Sequence, residues 1–205
     1  FQTLRPPENP TPRYIKKRVS QLLHPHKVDF ALKELDMLGE QAGPALLAAL
    51  NDPRFVKREP PKSISTPDPL NAVIGLLLSH EPERVLKFLH GMAGSAATAD
   101  RKIVATYAAA TGQMPAIPLI VRSLEDADGY VRSSVLYGVQ AAIESQRMED
   151  GYREHVYGLL LAQCDQKWPI SGNRSLQTMI RLDRERTGRD LANNRLLTLD
   201  NPNLL

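Results

Sequence analysis

The sequence of 205 residues contains a single cysteine, Cys164, and it therefore cannot form an intramolecular disulfide bond. A lone cysteine also excludes zinc sites that need two or more cysteine ligands. No apolar run approaches the roughly 18 residues of a membrane-spanning helix. The longest candidates are Ile74–Leu78 and Val156–Ala162. We therefore expect a soluble protein without a membrane span that is held together by an apolar core.

The sequence also lacks the common catalytic motifs. It contains no glycine-rich phosphate-binding loop, no Gly-x-Ser-x-Gly nucleophile elbow and no His-Glu-x-x-His zinc motif. His24 and His26 flank a proline and have no acidic residue near them before Asp29. His155 precedes Cys164 by about two helical turns, which is too far for a catalytic hydrogen bond. We therefore predict that the protein is not an enzyme and needs no cofactor or metal.

Proline is frequent, with 16 residues, and most of them fall in two clusters, one within residues 6–25 and one within residues 53–69. Thr11 and Pro12 are residue types favoured at the N-cap and the first position of a helix, so a first helix is expected there. We predict three segments, which are a proline-rich arm with the first helix at 1–27, a repeat domain at 28–168 with a proline-rich loop at 51–69, and a C-terminal helical cap and tail at 169–205.

Between the prolines, apolar residues recur at spacings of three and four, which is the period of amphipathic helices. Segments of about 10 to 16 residues with this spacing are joined by short turns, as in consecutive antiparallel hairpins. The first helices of four hairpins begin near residues 28, 70, 100 and 130. A two-helix repeat of about 30 to 35 residues predicts an all-α fold, namely a right-handed α-solenoid of about four hairpins.

One segment, Ile117–Arg132, carries a more specific repeat pattern. A proline enters the second helix of a hairpin, aspartates occupy the turn, and a Val-Arg pair begins the next helix. This order resembles the HEAT repeat of armadillo-type α-solenoids, and the residues at the matching positions are Pro118, Leu124, Asp126, Asp128, Val131 and Arg132. A looser copy begins at Pro44, 74 residues earlier. The resemblance implies HEAT-like hairpins in the repeat domain, and it implies no single activity.

Four residues of this segment have side chains suited to joining successive repeats. Asp128 can accept hydrogen bonds from free amides at a helix start, and Val131 faces the core. Arg132 can reach an aspartate of a neighbouring repeat through a charge-assisted hydrogen bond. We therefore predict that Asp126, Asp128, Val131 and Arg132 hold the repeats together.

The family resemblance leaves enzyme alternatives open. His80-Glu81 matches the His-Glu pairs of deoxyhypusine hydroxylase, a HEAT-like iron enzyme, but that family needs several pairs and this chain has one. HEAT-like phycobiliprotein lyases show that such a scaffold can also assist a reaction as a lyase or chaperone subunit. Nothing in the sequence identifies a bilin site.

Charge distribution bears on a nucleic-acid alternative. HEAT-like alkylpurine DNA glycosylases imply basic residues along the repeats and aromatic residues in a cleft. Here residues 1–27 carry a net charge of +5, residues 28–170 carry 14 basic and 18 acidic side chains, and the only tryptophan is Trp168. The basic runs Arg13–Arg18 and Arg181–Arg195 are expected to be solvated faces of end helices. A nucleic-acid partner is therefore less favoured than a protein or peptide.

A helical wheel at about 100° per residue predicts where such a partner binds. The outward faces of the second helices carry Lys87, His90, Leu119, Arg122, Tyr157 and Leu161. Together they are expected to form a mixed apolar and basic strip suited to an acidic amphipathic segment. We predict a non-enzymatic scaffold that binds a partner protein or peptide on the concave face of the solenoid. The chain begins at Phe1, so we expect a trimmed or processed start, and we assign the protein to the cytoplasm.

Overall fold

A computed structural model describes residues 5–56, 68–164 and 177–192. Every regular element within these residues is a helix, and no strand occurs among them. The prediction of an all-α fold is therefore confirmed. Within the same residues, no helix is long and apolar enough to cross a membrane. Trp168 and most of the predicted loop at 51–69 lie outside the described residues.

The first of two compact units covers Phe1–Phe88. Its helices are α1 (Pro12–Gln21), α2 (Val28–Leu38), α3 (Gly43–Ala49), α4 (Pro53–Val56), α5 (Pro69–Leu78) and the beginning of α6 (Pro82–Met92). Helix α1 packs on α2 and α3, and α5 packs on α2, α3 and α4. The core of the unit is formed by buried side chains that include Leu22, Leu35, Phe55, Leu70, Ile74 and Leu77.

Prolines begin helices in this unit instead of breaking them. Thr11 caps α1, because its side-chain hydroxyl accepts a hydrogen bond from the Tyr14 amide at 3.2 Å, and Pro12 occupies the first helical position as predicted. Pro53 begins α4, a single turn of helix that buries Phe55. The prediction of a loop throughout 51–69 is therefore wrong for Pro53–Val56, because a proline at a helix start removes only an amide that has no helical partner.

An ion pair between Arg18 and Glu34 joins α1 to α2. The Tyr14 hydroxyl donates a hydrogen bond of 2.8 Å to Glu34, and the Arg18 guanidinium stacks 4.8 Å from the ring centroids of Tyr14 and Phe30. Glu34 is buried, so its carboxylate needs these partners to offset the cost of leaving water. The cluster therefore holds the two helices together.

The second unit covers Leu89–Leu205. Its helices are the end of α6, α7 (Thr98–Ala110), α8 (Ile117–Leu124), α9 (Gly129–Glu144), α10 (Asp150–Cys164), α11 (177–182) and α12 (Arg184–Ala192). Helix α7 packs most extensively on α9, and α8 contacts α7, α9 and α10. The boundary between the two units falls inside α6 and coincides with no boundary of the segments predicted at 1–27, 28–168 and 169–205. The three segments stay a prediction.

Helices α7 and α9 approach each other closely at Gly138. A Cβ atom at this position would lie 2.0 Å from the Thr106 carbonyl oxygen and 2.7 Å from the Ala109 Cβ. Buried alanines, which include Ala105, line the same face of α7. Small side chains on both helices therefore set the separation of the two backbones.

Candidate functional site

The predicted binding strip is not formed, because two of its members are buried. Leu119 on α8 is 3% exposed and Tyr157 on α10 is 1% exposed, so their assignment to an outward face is wrong. Lys87 and His90 on α6 and Arg122 on α8 are exposed, and Leu161 on α10 is half-buried. The strip thus loses its aromatic side chain and one of its two leucines.

Helix α12 is the physical reason for the burial of Tyr157. The tyrosine hydroxyl lies 2.9 Å from an Asp190 carboxylate oxygen and 3.3 Å from the Thr187 hydroxyl. The Arg186 guanidinium covers the ring at 4.1 Å from its centroid and pairs with Glu154. Burial raises the pKa of Tyr157 to about 12, so the phenol remains protonated at neutral pH. Tyr157 therefore anchors α12 on α10 and is unavailable to a partner.

The turn before α9 and the first helical turn of α9 contain the four residues predicted to join repeats. Asp128 caps the helix, because its carboxylate accepts a hydrogen bond from the Tyr130 amide at 2.8 Å. Val131 is buried. Arg132 donates hydrogen bonds to the backbone carbonyls of Asp126 and Ala127 in its own turn, at 2.6 and 3.0 Å. These contacts fix the start of α9 relative to the end of α8.

Asp126 is joined to α7 by Arg101, a residue that no sequence pattern singled out. The Arg101 Nε donates to one Asp126 carboxylate oxygen at 2.7 Å, and its Nη2 lies 3.4 Å from the other. The Asp128 amide also donates to Asp126, at 2.9 Å. Hydrogen bonding from Arg101 holds the pKa of Asp126 below its ordinary value of 3.8, although burial acts in the opposite direction. Arg101 lies 31 residues before Arg132, a separation of one repeat length, and this spacing could have identified it from the sequence.

We expect Asp126→Asn to lower the melting temperature at pH 7. Because the folded-state pKa of Asp126 is lowered, its contribution to stability is fully present above the unfolded-state pKa and is lost as the pH falls through the folded-state value. The difference in melting temperature between wild type and variant should therefore shrink below about pH 4. Circular dichroism melts between pH 2 and 8 measure it, with Glu125→Gln in the same turn as a charge-matched control. An equal difference at all pH values would contradict the assignment.

A cleft of about 390 Å³ lies in the second unit between the end of α9, the start of α10 and α11. Its lining residues are Ile143, Gln146, Met148, Arg153, Arg181 and Leu182. Two of them are arginines, one is an amide and three are apolar. None of these lining residues is acidic, so the cleft combines positive charge with an apolar surface.

Gly112 anchors the turn that carries two of the lining residues. Its φ of 68° lies in the left-handed region that favours glycine, and a Cβ there would lie 2.5 Å from the Arg147 carbonyl oxygen. The Gly112 carbonyl accepts a hydrogen bond from the Glu149 amide at 3.0 Å. The Glu149 carboxylate accepts one from the Met114 amide, also at 3.0 Å. The 145–149 turn is thus held against the α7–α8 connection, which fixes one wall of the cleft.

Tyr152 fixes the first turn of α10 beside this wall. Its hydroxyl donates a hydrogen bond of 2.6 Å to the Ala109 carbonyl near the end of α7, and the side chain is fully buried. Burial raises the pKa of Tyr152, so the hydroxyl stays a donor. The next residue, Arg153, is exposed and lines the cleft. The arginine therefore extends from a backbone that is held in place.

Gln146 has an unusual backbone conformation, with a φ of 55°. It follows α9 in a Schellman motif, in which the Arg147 amide donates to the Ala142 carbonyl at 3.2 Å and the Gln146 amide donates to Ile143 at 3.1 Å. Glycine is the usual residue at this position. A side chain in the left-handed conformation costs about 1 kcal/mol. Position 146 therefore carries a glutamine that lines the cleft, although glycine would make the turn more stable.

The two arginines keep their hydrogen-bonding capacity for a ligand. Within the part of the chain that the structure describes, no carboxylate pairs with Arg153 or Arg181. Ile143 and Met148 are half-buried and Leu182 is buried, so apolar surface lies beside the charges. The arrangement is suited to binding an anionic group next to an apolar one. The sequence alone predicts Arg181 only as part of a solvated basic run.

Metal chemistry has no candidate site in the described ranges, where no group of three or more His, Cys, Asp or Glu side chains could hold a metal ion. Comparison with known proteins gives no relative: no family model, no curated protein and no solved structure matches the chain.

Proposed function

We propose that the protein is a non-enzymatic interaction scaffold that binds a segment of a partner protein in the cleft lined by Gln146, Arg153 and Arg181. The observation that supports this function is one cleft that combines an apolar surface with two arginines, neither of which pairs with an acid of the described residues. Among the lining residues that the structure describes, none carries a nucleophile, a general base or a metal-ligand group. Binding is therefore the activity that these side chains serve best.

The scaffold itself is proposed to be a right-handed, HEAT-like α-solenoid of about four hairpins. Within the second unit, the first helices of successive hairpins, α7 and α9, pack on each other, and so do the second helices, α8 and α10. Contacts between equivalent helices are the pattern of stacked repeats. The ion pair of Arg101 with Asp126 links the two hairpins, as the turn aspartates of the HEAT pattern imply.

A protein partner is favoured over nucleic acid by the composition of the cleft. Binding to a nucleic-acid backbone depends on many phosphate contacts along a basic surface, usually with aromatic platforms for unpaired bases. The described lining of the cleft consists of two cations, one amide and three aliphatic or thioether side chains. At 150 mM salt we therefore expect duplex DNA to bind only in the non-specific range, with a Kd of about 10⁻⁴ to 10⁻⁶ M.

The test is quantitative affinity capture with the full chain and two double variants. Arg153→Glu/Arg181→Glu reverses both charges of the cleft, and Arg13→Glu/Lys17→Glu reverses two exposed charges on α1 in the first unit. The expected result is a protein captured by the wild type and the α1 variant and lost from the cleft variant. Capture that disappears after nuclease treatment would support nucleic acid instead, and equal capture by all three chains would place the binding site elsewhere.

A further inference from the structure

We infer that the cleft selects an acidic segment in which a carboxylate side chain lies next to an apolar one. This inference rests on the proposed function and adds the chemistry of the ligand to it. Clefts that bind small groups usually enclose about 300 to 1,000 Å³. At about 390 Å³, this cleft is at the small end of that range and is suited to a few side chains of an extended segment.

The arginines specify the charge of the ligand. A guanidinium group has five N–H donors in a planar arrangement that matches the two oxygens of a carboxylate. Arg153 is exposed on α10 and Arg181 is exposed on α11, so two different helices supply these donors to one cleft. No described acidic residue forms an ion pair with either of them. A carboxylate of the partner therefore supplies the missing counter-charge.

Gln146 gives the most direct indication that the cleft binds a ligand. Its left-handed backbone would be accommodated better by glycine, yet the position carries a side chain with two N–H donors and an acceptor. Strained residues of this kind concentrate at functional sites, where the side chain has a use that offsets the strain. In this cleft, the amide can donate to the same carboxylate or pair with the peptide backbone of the ligand.

The apolar residues specify the neighbour of the carboxylate. Ile143, Met148 and Leu182 come from the end of α9, the following turn and α11, and they line the same cleft as the arginines. Methionine adapts its shape to different apolar side chains, so the site accommodates leucine, isoleucine or phenylalanine in the ligand. The pairing of acid and apolar groups distinguishes this ligand from a uniformly acidic chain or a nucleic-acid backbone.

The inference is tested by selecting 12-residue peptides from a random displayed library on the full chain. The enriched peptides are expected to share an Asp or Glu within a few positions of a large apolar residue. The best peptide is then labelled, and its Kd is measured by fluorescence anisotropy for wild type and variants. Arg153→Gln/Arg181→Gln should weaken binding by about tenfold or more, whereas Arg13→Gln/Lys17→Gln on α1 should leave the Kd unchanged.

Gln146 has its own pair of variants. Gln146→Gly should raise the melting temperature and weaken peptide binding by about threefold to tenfold, because the turn relaxes while the amide is lost. Gln146→Asn keeps an amide and tolerates the left-handed conformation, so it should raise the melting temperature and lose less affinity. A rise in stability with unchanged affinity in Gln146→Gly would overturn the role of this side chain.

The outcomes separate the inference from the proposed function. Peptides that lose affinity in the arginine variant but share no acidic residue would overturn the acidic ligand and keep the cleft as the binding site. Selection of no peptide, or of peptides that bind the arginine variant equally well, would overturn the proposed function together with the inference. Circular dichroism melts of each variant establish that affinity changes arise in a folded chain.

Discussion

Replacing Gly138 with alanine is expected to lower the free energy of unfolding by about 3 kcal/mol. The added Cβ would lie 2.0 Å from the Thr106 carbonyl oxygen, a backbone atom of α7 that cannot move without shifting the helix. It would also lie 2.7 Å from the Ala109 Cβ. Because α7 and α9 form the most extensive helix contact of the second unit, the strain falls on the centre of its core.

Chemical denaturation followed by circular dichroism measures this change. Gly158→Ala on α10 is the matched control, because a Cβ at Gly158 meets no atom within 4 Å. Alanine has a higher helix propensity than glycine, so this control should be about 0.5 to 1 kcal/mol more stable than wild type. Similar stabilities for the two variants would show that the helices do not approach as closely as Gly138 indicates.

Local sequence patterns are sufficient to predict the helices, because the apolar spacing and the capping residues of a helix all lie within or next to that helix. The spacing of three and four between apolar residues places most helices, and Thr11 and Asp128 cap the helices that they were predicted to cap. Proline interrupts a helix in its interior but is favoured at its first position, and composition does not distinguish these two roles. For this reason the sequence predicts a loop at Pro53, although this residue begins α4.

The helical wheel failed for α8 because it assumes one buried face. Its apolar stripe consists of Ile117, Ile120, Val121 and Leu124, whereas the buried residues are Leu119, Ile120, Ser123 and Leu124. The centres of these two sets differ by about 80° around the helix. Helix α8 contacts three other helices, α7, α9 and α10, so tertiary packing widens and rotates the buried arc. Tyr157 was misplaced for a similar reason, since α12 covers it.

The candidate cleft could not be predicted from one sequence, because its residues come from three separate elements. Gln146 ends the Schellman motif of α9, Arg153 belongs to α10, and Arg181 belongs to α11. Only the docking of α11 beside the start of α10 brings them to one cleft. One local feature marks the cleft at the end of α9. The helix ends in a left-handed turn, but the position after the C-cap, where glycine is usual, carries Gln146.

Replacing Leu119 with aspartate should lower the free energy of unfolding by about 4 kcal/mol or more. The leucine is 3% exposed, so the substitution removes about 2 kcal/mol of apolar burial. It also places a carboxylate among apolar side chains, where the group must either remain charged without a partner or take up a proton at a cost in free energy. Urea denaturation followed by circular dichroism measures the loss, and the variant is expected to be largely unfolded at low urea concentration.

Arg122→Asp is the control for this variant, because it introduces the same side chain three residues later on the exposed face of α8. Its cost should stay below about 1 kcal/mol, which covers an exposed substitution and an unfavourable charge at the end of a helix. A strip with Leu119 facing outward predicts nearly equal, small effects for the two variants. The packing of α8 against α7, α9 and α10 predicts a difference of about 3 kcal/mol between them, so equal stabilities would contradict the buried position of Leu119.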